Sequence, residues 1–352
     1  MNTHVWTVSP SQPAVQLKDH PAIREAAARL RAGELVAFPT ETVYGLGADA
    51  TNDAAVQAIF TAKGRPGDNP LIVHIGTRSQ LVDIVTRIPP AAEKLIDRFW
   101  PGPLTLVFPS AGKVSTEVTA GLPTVAVRMP DHPVGMALLQ TARCPIAAPS
   151  ANRSGRPSPT EVKHVLDDLS GRISGAIDGG ETGFGLESTV LDVTGDVPEL
   201  LRPGGVTLEQ LEQVLGTVKG TASLANGMSE QAPRSPGMKY RHYAPQGEMI
   251  LVRGSGDEIV QRIQSLTDHY RAQGLKVGVL TTEEHQDDYD ADVVIACGRR
   301  NNLPSIAHGL YRALRQFDEA GIEYILAETF PESGWGAPIM NRLRKAADGR
   351  IV

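Results

Sequence analysis

Short apolar runs alternate with helical segments along most of this 352-residue chain. Runs such as "LVAFPT", "LIVHI" and "LTLVF" in the first part, and "MILVRG", "KVGVLTT" and "YILAETF" in the last part, have the length and β-branched content of buried strands. The stretches between them have the residue pattern of helices. Strand and helix in repeated succession predict an α/β fold, in which helices cover the faces of a sheet.

A stretch of small and polar residues, "GTVKGTASLANGMSEQAPR", interrupts this alternation and is typical of a linker. The length of the chain favours about two domains. Before the stretch several strand pairs lie too close together for a helix between them, which predicts a twisted mixed sheet over residues 1–216. After it, strand and helix alternate strictly, so we expect a smaller, Rossmann-like and mostly parallel sheet over 248–352. Residues 217–247 then form the linker, which ends in "SPGMKYRHYAP".

Helix boundaries are marked by their terminal residues. Asp19 is placed to cap the first helix, with Pro21 in its first turn. Ser255 and Glu258 form a capping-box pattern at the first helix after the linker. The helices expected from the pattern span Pro21 to Arg31, Asp53 to Ala62, Thr160 to Leu169, and residues 256–272, 305–320 and 337–347.

The overall composition excludes several classes of function. The net charge of −6 disfavours a nucleic-acid binder held by bulk electrostatics. No apolar run has the length of a membrane span, and the first residues lack the pattern of a signal peptide, so we expect a cytoplasmic protein. Cys144 and Cys297 show no metal-binding or redox spacing. The common phosphate-loop, dinucleotide, zinc-protease and nucleophile-elbow motifs are missing from the sequence.

Two dense polar loops follow predicted strands, where α/β proteins place their sites. In "FPTETVYGLG" the hydroxyls of Thr40 and Thr42 lie before two glycines. In "KGRPGDNPLIVHI" an extended backbone would point Lys63 and Arg65 the same way, as two fixed cations suited to a triphosphate or a carboxylate. Taken singly, the first loop is more typical of a capped strand-to-helix turn, and the second is equally typical of a solvated basic loop.

A third loop, "APSANRSGRPSPT", offers neutral donors and acceptors at Ser150, Asn152 and Ser158. On its own it is more typical of structure than of catalysis. In combination, the "K-x-R" and "S-x-N" pairs, with "PTETVYGLG", "NPLIVHI", "WPGPLTLV", "STVLDV" and "LLRPG", resemble the YrdC-like domain over roughly residues 15–215. The distal "SPGMKYRHYAP" followed by an α/β domain resembles the long form of the L-threonylcarbamoyladenylate synthase family.

The resemblance implies that L-threonine, bicarbonate and ATP give threonylcarbamoyl-AMP and pyrophosphate, and that a separate transferase passes the threonylcarbamoyl group to tRNA. A carbamate made from threonine and bicarbonate is already an anionic nucleophile, so the reaction needs positioning and charge neutralisation rather than covalent help. Mg²⁺ is expected with ATP, and no metal site made of protein side chains is expected. Direct, weak tRNA binding stays open, and no membrane partner is expected.

The resemblance also implies two neighbouring pockets. Catalysis is assigned to the two signature pairs, Lys63, Arg65, Ser150 and Asn152. The positions assigned to threonine are Thr40, Thr42, His74, Arg128, the backbone at Ala148, and Ser188. Thr40 is an alternative to Thr42, and Arg128 would pair with the substrate carboxylate. The ATP positions are Arg65, Asn69, Thr124, Ser150, Ser158 and Arg202, joined by Tyr240 and His242 of the linker motif.

The linker motif supports two interpretations. As a tethered lid it would bring Lys239 and Arg241 to phosphates, while Tyr240, His242 and Tyr243 cover the nucleotide and exclude water. As an anchor it would only dock the linker on the second domain. Two other functions remain as alternatives at this stage: a module that binds tRNA without catalysis, and a related carbamoyl-adenylate enzyme for another substrate. Threonine- and bicarbonate-dependent release of pyrophosphate distinguishes them.

Overall fold

The computed structural model describes residues 2–220, 242–254 and 256–352. These residues form two compact units. The first comprises residues 2–154, 159–183 and 187–220, and the second comprises 155–158, 184–186, 242–254 and 256–352. No helix in these described ranges is both long enough and apolar enough to cross a bilayer.

The first unit carries helices on both sides of a large sheet. Its helices are α1 (Ala14–Asp19), α2 (Pro21–Arg31), α3 (Asp53–Lys63), α4 (Arg78–Ile84), α5 (Pro90–Phe99), α6 (Thr116–Thr119), α7 (Pro133–Ala142), α8 (Val162–Leu169) and α9 (Leu208–Leu215). Its strands are β1 (His4–Thr7), β2 (Val36–Phe38), β3 (Gly45–Asp49), β4 (Ile72–His74), β5 (Leu104–Pro109), β6 (Thr124–Arg128), β7 (Ile146–Ala147), β8 (Gly175–Asp178), β9 (Thr189–Asp192), β10 (Glu199–Arg202) and β11 (Lys219–Gly220).

The strands of this unit pair in the order β1-β8-β2-β3-β7-β4-β6-β5-β9-β10-β11. Parallel pairs such as β4 with β6 and antiparallel pairs such as β5 with β6 occur together, so the predicted mixed sheet is confirmed. One apolar cluster includes α3, α5 and the inner side of β3 to β6, and another packs α1, α2 and α7 against β2. The centre of the sheet, with β4, β6 and β7, is therefore buried on both faces.

The first predicted helix has the expected bounds but a different cap. Asp19 is the last residue of α1 and forms an exposed ion pair with Arg24 at 2.5 Å, so its predicted capping role is wrong. His20 caps α2 instead, because its ring Nδ1 accepts the backbone N–H of Ala22 at 3.2 Å. An imidazole nitrogen with a free lone pair satisfies the orphan N–H as a carboxylate would.

The segment around Lys63 also differs from expectation. Helix α3 continues through Lys63 and ends at Gly64, which adopts the left-handed conformation with φ of 62°. The predicted extended backbone from Lys63 to Arg65 is therefore wrong. Lys63 lies on the last helical turn, and only Arg65 belongs to the loop.

The second unit consists of a parallel sheet with helices. Its strands β12 (Glu248–Val252), β13 (Val277–Thr281), β14 (Val293–Ala296) and β15 (Tyr324–Glu328) pair in the order β12-β15-β13-β14, all parallel. Its helices are α10 (Asp257–Arg271), α11 (Leu303–Glu319) and α12 (Gly336–Ala346), with a 3-10 helix at Glu283–Asp288. The predicted Rossmann-like arrangement is confirmed. The predicted capping serine, Ser255, lies outside the described residues.

At the carboxyl edge of this second sheet lies a buried carboxylate, Glu328. Tyr289 donates its hydroxyl hydrogen bond to Glu328 at 3.1 Å, and His285 Nδ1 contacts it at 3.0 Å. Thr281 and Arg300 also donate to it. Burial raises the pKa of Glu328, yet the hydrogen bonds from Thr281, Arg300 and His285 outweigh it, and the pKa lies below its usual value.

The unit boundaries differ in detail from the predicted domains. Strand β11 pairs with β10, so the sheet of the first unit extends past residue 216 into the predicted linker. Tyr243 lies in the second unit, 5% exposed, where its ring stacks on Tyr311 at 5.4 Å and lies under the guanidinium of Arg342. For Tyr243 the contacts favour the anchoring interpretation of the linker motif.

Candidate active site

The loop after β2 is folded around a buried hydroxyl. Thr40 donates its hydroxyl hydrogen bond to the carbonyl of Val43 at 2.7 Å and accepts the backbone N–H groups of Thr42 and Val43. Its hydroxyl oxygen also lies 2.8 Å from that of Thr42. Because the hydrogen bonds of Thr40 are used within the turn, Thr40 shapes the loop, and Thr42 is the residue whose hydroxyl meets other elements of the site.

Arg128 is a buried cation at the end of β6, and is 3% exposed. Its Nε donates to the carbonyl of Gly102 at 3.2 Å, and its Nη1 donates to the hydroxyl of Thr42 at 2.9 Å. Its Nη2 lies 2.5 Å from Oε1 of Glu41. The guanidinium is thus fixed on three sides, in an environment of low dielectric where its attraction for an anion is strong.

His74 is the neighbour of Arg128 across the β4–β6 pair. Its ring is 4% exposed, packs edge-on against Phe38 with centroids 6.0 Å apart, and places Nδ1 3.3 Å from the carbonyl of Ile72. Burial, and secondarily the charge of Arg128, lower the pKa of His74 to about 3. The ring is therefore neutral at pH 7, and it can exchange a hydrogen bond with a ligand without carrying charge. The backbone N–H of Ala148 bonds the carbonyl of Ile72 at 2.9 Å, which brings the third loop to this strand.

Ser188 connects the predicted threonine positions to the predicted ATP positions through its contacts with Arg202. Its hydroxyl lies 2.7 Å from that of Thr105 on β5 and accepts a hydrogen bond from Nη2 of Arg202 at 3.2 Å. Arg202 also donates from Nε to the carbonyl of Ser188 at 3.1 Å. On β5, Leu106 pairs with Val127, so Thr105 lies next to the Arg128 end of β6. The structure thus brings Ser188, Arg202 and Arg128 to one region of the sheet.

Lys63 is buried rather than solvated, and is 3% exposed. Its Nζ donates to the carbonyls of Ser150 at 2.5 Å and Asn152 at 2.6 Å, and lies 3.5 Å from Oδ1 of Asn152. Burial, followed by the nearby charge of Arg65, lowers the pKa of Lys63 well below its usual value. The "K-x-R" and "S-x-N" signatures contact each other through Lys63, which binds the backbone of the loop at Ser150 and Asn152.

The remaining predicted ATP positions are distributed more widely. Arg65 is half-buried and donates to the carbonyl of Asn69 at 3.1 Å, so these two lie together. Thr124 begins β6 four residues before Arg128 and on the same side of the strand, roughly 13 Å away at ~3.3 Å per residue. Ser158 and His242 belong to the second unit. Tyr240 lies outside the described residues.

Glu41 is the residue of this site that the sequence analysis missed. Its side chain is 8% exposed, and neither of its oxygens makes a hydrogen bond, although Oε1 lies 2.5 Å from the guanidinium of Arg128. Burial, followed by the charge of Glu41, raises the pKa of the neighbouring Asp131. The signal in the sequence was a single carboxylate between two threonines directly after a fully apolar strand.

The described ranges hold no group of three or more His, Cys, Asp or Glu side chains that could bind a metal ion. Chemically, the site combines a buried, fixed cation with neutral hydroxyls and a neutral imidazole. Such a set suits a small molecule that carries a carboxylate and a hydroxyl, next to arginines that suit phosphates.

Comparisons with known proteins find relatives that match nearly the whole chain. A family model described as telomere recombination (Sua5, YciO and YrdC) matches residues 28–204, and one described as the threonylcarbamoyl-AMP synthase C-terminal domain matches residues 206–348. The chain is 55% identical to a threonylcarbamoyl-AMP synthase of Bacillus subtilis (strain 168), over 94% of each chain. It is 50% identical to one of Pyrococcus abyssi (strain GE5 / Orsay), over 94% of this chain and 95% of that one. A crystal structure of P. abyssi Sua5 complexed with L-threonine is similar with a TM-score of 0.92 and 48% identity, and the match covers 99% of each chain.

Proposed function

The chain belongs to the threonylcarbamoyl-AMP synthase family, and we propose that it is a nucleotidyltransferase that condenses L-threonine, bicarbonate and ATP into L-threonylcarbamoyladenylate and pyrophosphate. The family assignment made from the sequence signatures is confirmed. The similarity to a threonine complex over nearly the whole chain supports threonine as the amino acid.

The observation that carries the proposal is the setting of Arg128. A guanidinium that is 3% exposed, and that already contacts the Thr42 hydroxyl at 2.9 Å, offers a fixed partner for an amino-acid carboxylate. We assign Thr42 and Ser188 to the polar groups of threonine, with His74 and the backbone at Ala148 completing the pocket. The neutral imidazole of His74 recognises a hydroxyl or a carbonyl without repelling or attracting charge.

The chemistry requires no protein nucleophile. The ammonium group of threonine first releases a proton, the resulting amine and bicarbonate form a carbamate with loss of water, and a carbamate oxygen then attacks the α-phosphorus of ATP as pyrophosphate leaves. The protein holds these groups in line and neutralises the charge that develops on the phosphates. We assign that neutralisation to Arg65 and Arg202. Asn69, Thr124, Ser150 and Ser158 complete the proposed ATP contacts, together with Tyr240 and His242 of the linker motif.

Lys63 contributes to this mechanism through the loop that it holds. Its Nζ is directed at the carbonyls of Ser150 and Asn152, so the lysine fixes the "S-x-N" loop at the end of α3. The hydroxyl of Ser150 and the amide of Asn152 are then presented to the reacting groups in a fixed orientation. Fixed dipoles stabilise a transition state without the cost of reorientation during the reaction.

Mg²⁺ would enter with ATP, held by the phosphates, and would supply charge neutralisation there. The product is a mixed anhydride that water hydrolyses, so a downstream transferase must take it up and deliver the threonylcarbamoyl group to an adenosine of tRNA. We place this activity in the cytoplasm. Direct contact of this chain with tRNA would be weak, since the net charge is −6.

The test is release of pyrophosphate from ATP by the full chain, with nucleotide products separated by chromatography. We expect pyrophosphate and threonylcarbamoyl-AMP only when ATP, L-threonine, bicarbonate and Mg²⁺ are all present. L-serine, which lacks the methyl group, should react with a kcat/KM about 10- to 100-fold lower. Equal pyrophosphate release without threonine would overturn the proposal.

A further inference from the structure

We infer that Glu41 is the receptor for the α-ammonium group of the amino-acid substrate, opposite Arg128, which receives the carboxylate. This inference rests on the proposed function. It adds a specificity residue to the pocket, so that the site selects a zwitterion rather than any small hydroxy acid.

The first support is the burial of a carboxylate without hydrogen bonds. The side chain of Glu41 is 8% exposed, yet Oε1 and Oε2 both lack a hydrogen-bond donor. A buried carboxylate normally accepts several hydrogen bonds, because its removal from water is costly. Arg128 Nη2 likewise makes no hydrogen bond, although it lies 2.5 Å from Oε1. Both charged groups therefore retain capacity for a ligand.

The second support is the match between this ion pair and an α-amino acid. A free amino acid carries one ammonium and one carboxylate on the same carbon, and Glu41 and Arg128 present the opposite charges side by side. Without substrate the two side chains neutralise each other. When a zwitterion binds, each side chain exchanges its protein partner for the opposite charge on the ligand, and the buried site stays neutral throughout.

The third support is the position of the pair within the loop. Glu41 lies between Thr40, which holds the turn, and Thr42, whose hydroxyl contacts Arg128 at 2.9 Å. The turn thus fixes the carboxylate next to the proposed threonine contacts. Asp131, in the segment after β6, lies near enough for the charge of Glu41 to act on it: burial first, and then this charge, raise the pKa of Asp131. Two carboxylates thus attract a cation there. His132 does not offset them, because burial lowers its pKa to about 4.

The test compares two ligands on the full chain by calorimetric titration. L-Threonine carries all three groups, whereas (R)-3-hydroxybutanoate keeps the carboxylate and the hydroxyl but lacks the ammonium. The affinity of the weaker ligand is measured by competition titration against L-threonine. We expect the wild-type chain to bind L-threonine at least 10-fold more tightly, and Glu41→Gln to lose about 10- to 100-fold in affinity for L-threonine.

The ratio of the two affinities separates recognition from a structural role. In Glu41→Gln the affinity for (R)-3-hydroxybutanoate should stay the same or rise, because Arg128 is released from its protein partner. Glu34→Gln removes the same charge from an exposed position near Arg29 and should change neither affinity. Equal losses for both ligands in Glu41→Gln would overturn the inference. If that variant does not fold, equal affinity of the wild-type chain for the two ligands would overturn it. No threonine binding by the wild-type chain would overturn the proposed function as well.

Discussion

Replacement of Lys63 by methionine tests whether this lysine acts by holding the "S-x-N" loop. Methionine keeps the volume and the apolar stem and removes only the ammonium group. The two short hydrogen bonds from Nζ, 2.5 Å to Ser150 and 2.6 Å to Asn152, are then lost, and both carbonyls lose this donor. Each carbonyl so deprived costs about 1–3 kcal/mol, offset in part because a charged group no longer has to be desolvated. We expect a loss of about 2–3 kcal/mol, or roughly 5–10 °C in the melting temperature of a unit of this size.

Thermal unfolding is measured by calorimetry, and pyrophosphate release is measured on the same samples. Lys63→Met should lose stability and activity together. Arg65→Met should lose activity with a much smaller change in stability, because this half-buried side chain serves the proposed phosphate site. Lys94→Met, at an exposed position of α5, controls for the loss of a positive charge. The reasoning would be refuted if Lys63→Met melted within about 1 °C of the wild-type chain while losing activity, since the ammonium would then act directly on substrate.

Two further predictions concern buried ionisable groups. The folded chain keeps His74 unprotonated down to pH about 3, whereas the unfolded chain protonates it near its ordinary pKa of about 6.5, so stability is lost as the pH falls below 6.5. This histidine accounts for about 2 kcal/mol of the change in the free energy of unfolding between pH 7 and pH 5. In urea titrations at several pH values, His74→Gln should remove that share of the pH dependence. The substitution His4→Gln, at an exposed position, should leave it unchanged. In the second unit, Glu328→Gln should cost about 2–4 kcal/mol, because the donors around the buried carboxylate lose an acceptor, and hydrogen exchange in β13 and β15 should accelerate. Glu332→Gln breaks an exposed pair with Arg344 and should cost less than about 1 kcal/mol, and an equal effect of the two substitutions would contradict the role given to the Glu328 network.

The sequence predicted the architecture because its signals were local. Helix α2 has the predicted bounds, and the alternation of strand and helix identified a mixed sheet and a parallel sheet correctly. The structure places the Thr42 hydroxyl within hydrogen-bond distance of Arg128, and His74 beside Arg128 across the β4–β6 pair, but the grouping of these three residues came from the family resemblance and not from local signals.

The sequence did not predict features that depend on partners distant along the chain. Lys63 has the composition of a solvated loop around it, and it is buried only because residues 150 and 152, 87 and 89 positions later, supply acceptors. The role of Glu41 depends on its approach to Arg128, also 87 positions later. The predicted cap of α2 was wrong for a different reason: Asp19 is the last residue of α1, and the ring nitrogen of His20 accepts the orphan N–H of Ala22.

Two short segments, 155–158 and 184–186, belong to the second unit although residues of the first unit surround them in the chain. Phe184 stacks on Trp335 with ring centroids 5.6 Å apart, and Arg315 donates to the carbonyl of Pro157 at 2.5 Å. The two units are consequently interleaved in the gene rather than encoded one after the other. A chimaera that joined the first part of this protein to the last part of a relative at a single crossover would combine Phe184 of one parent with Trp335 of the other. Recombination between family members should therefore succeed only where these short segments travel together with the distal part.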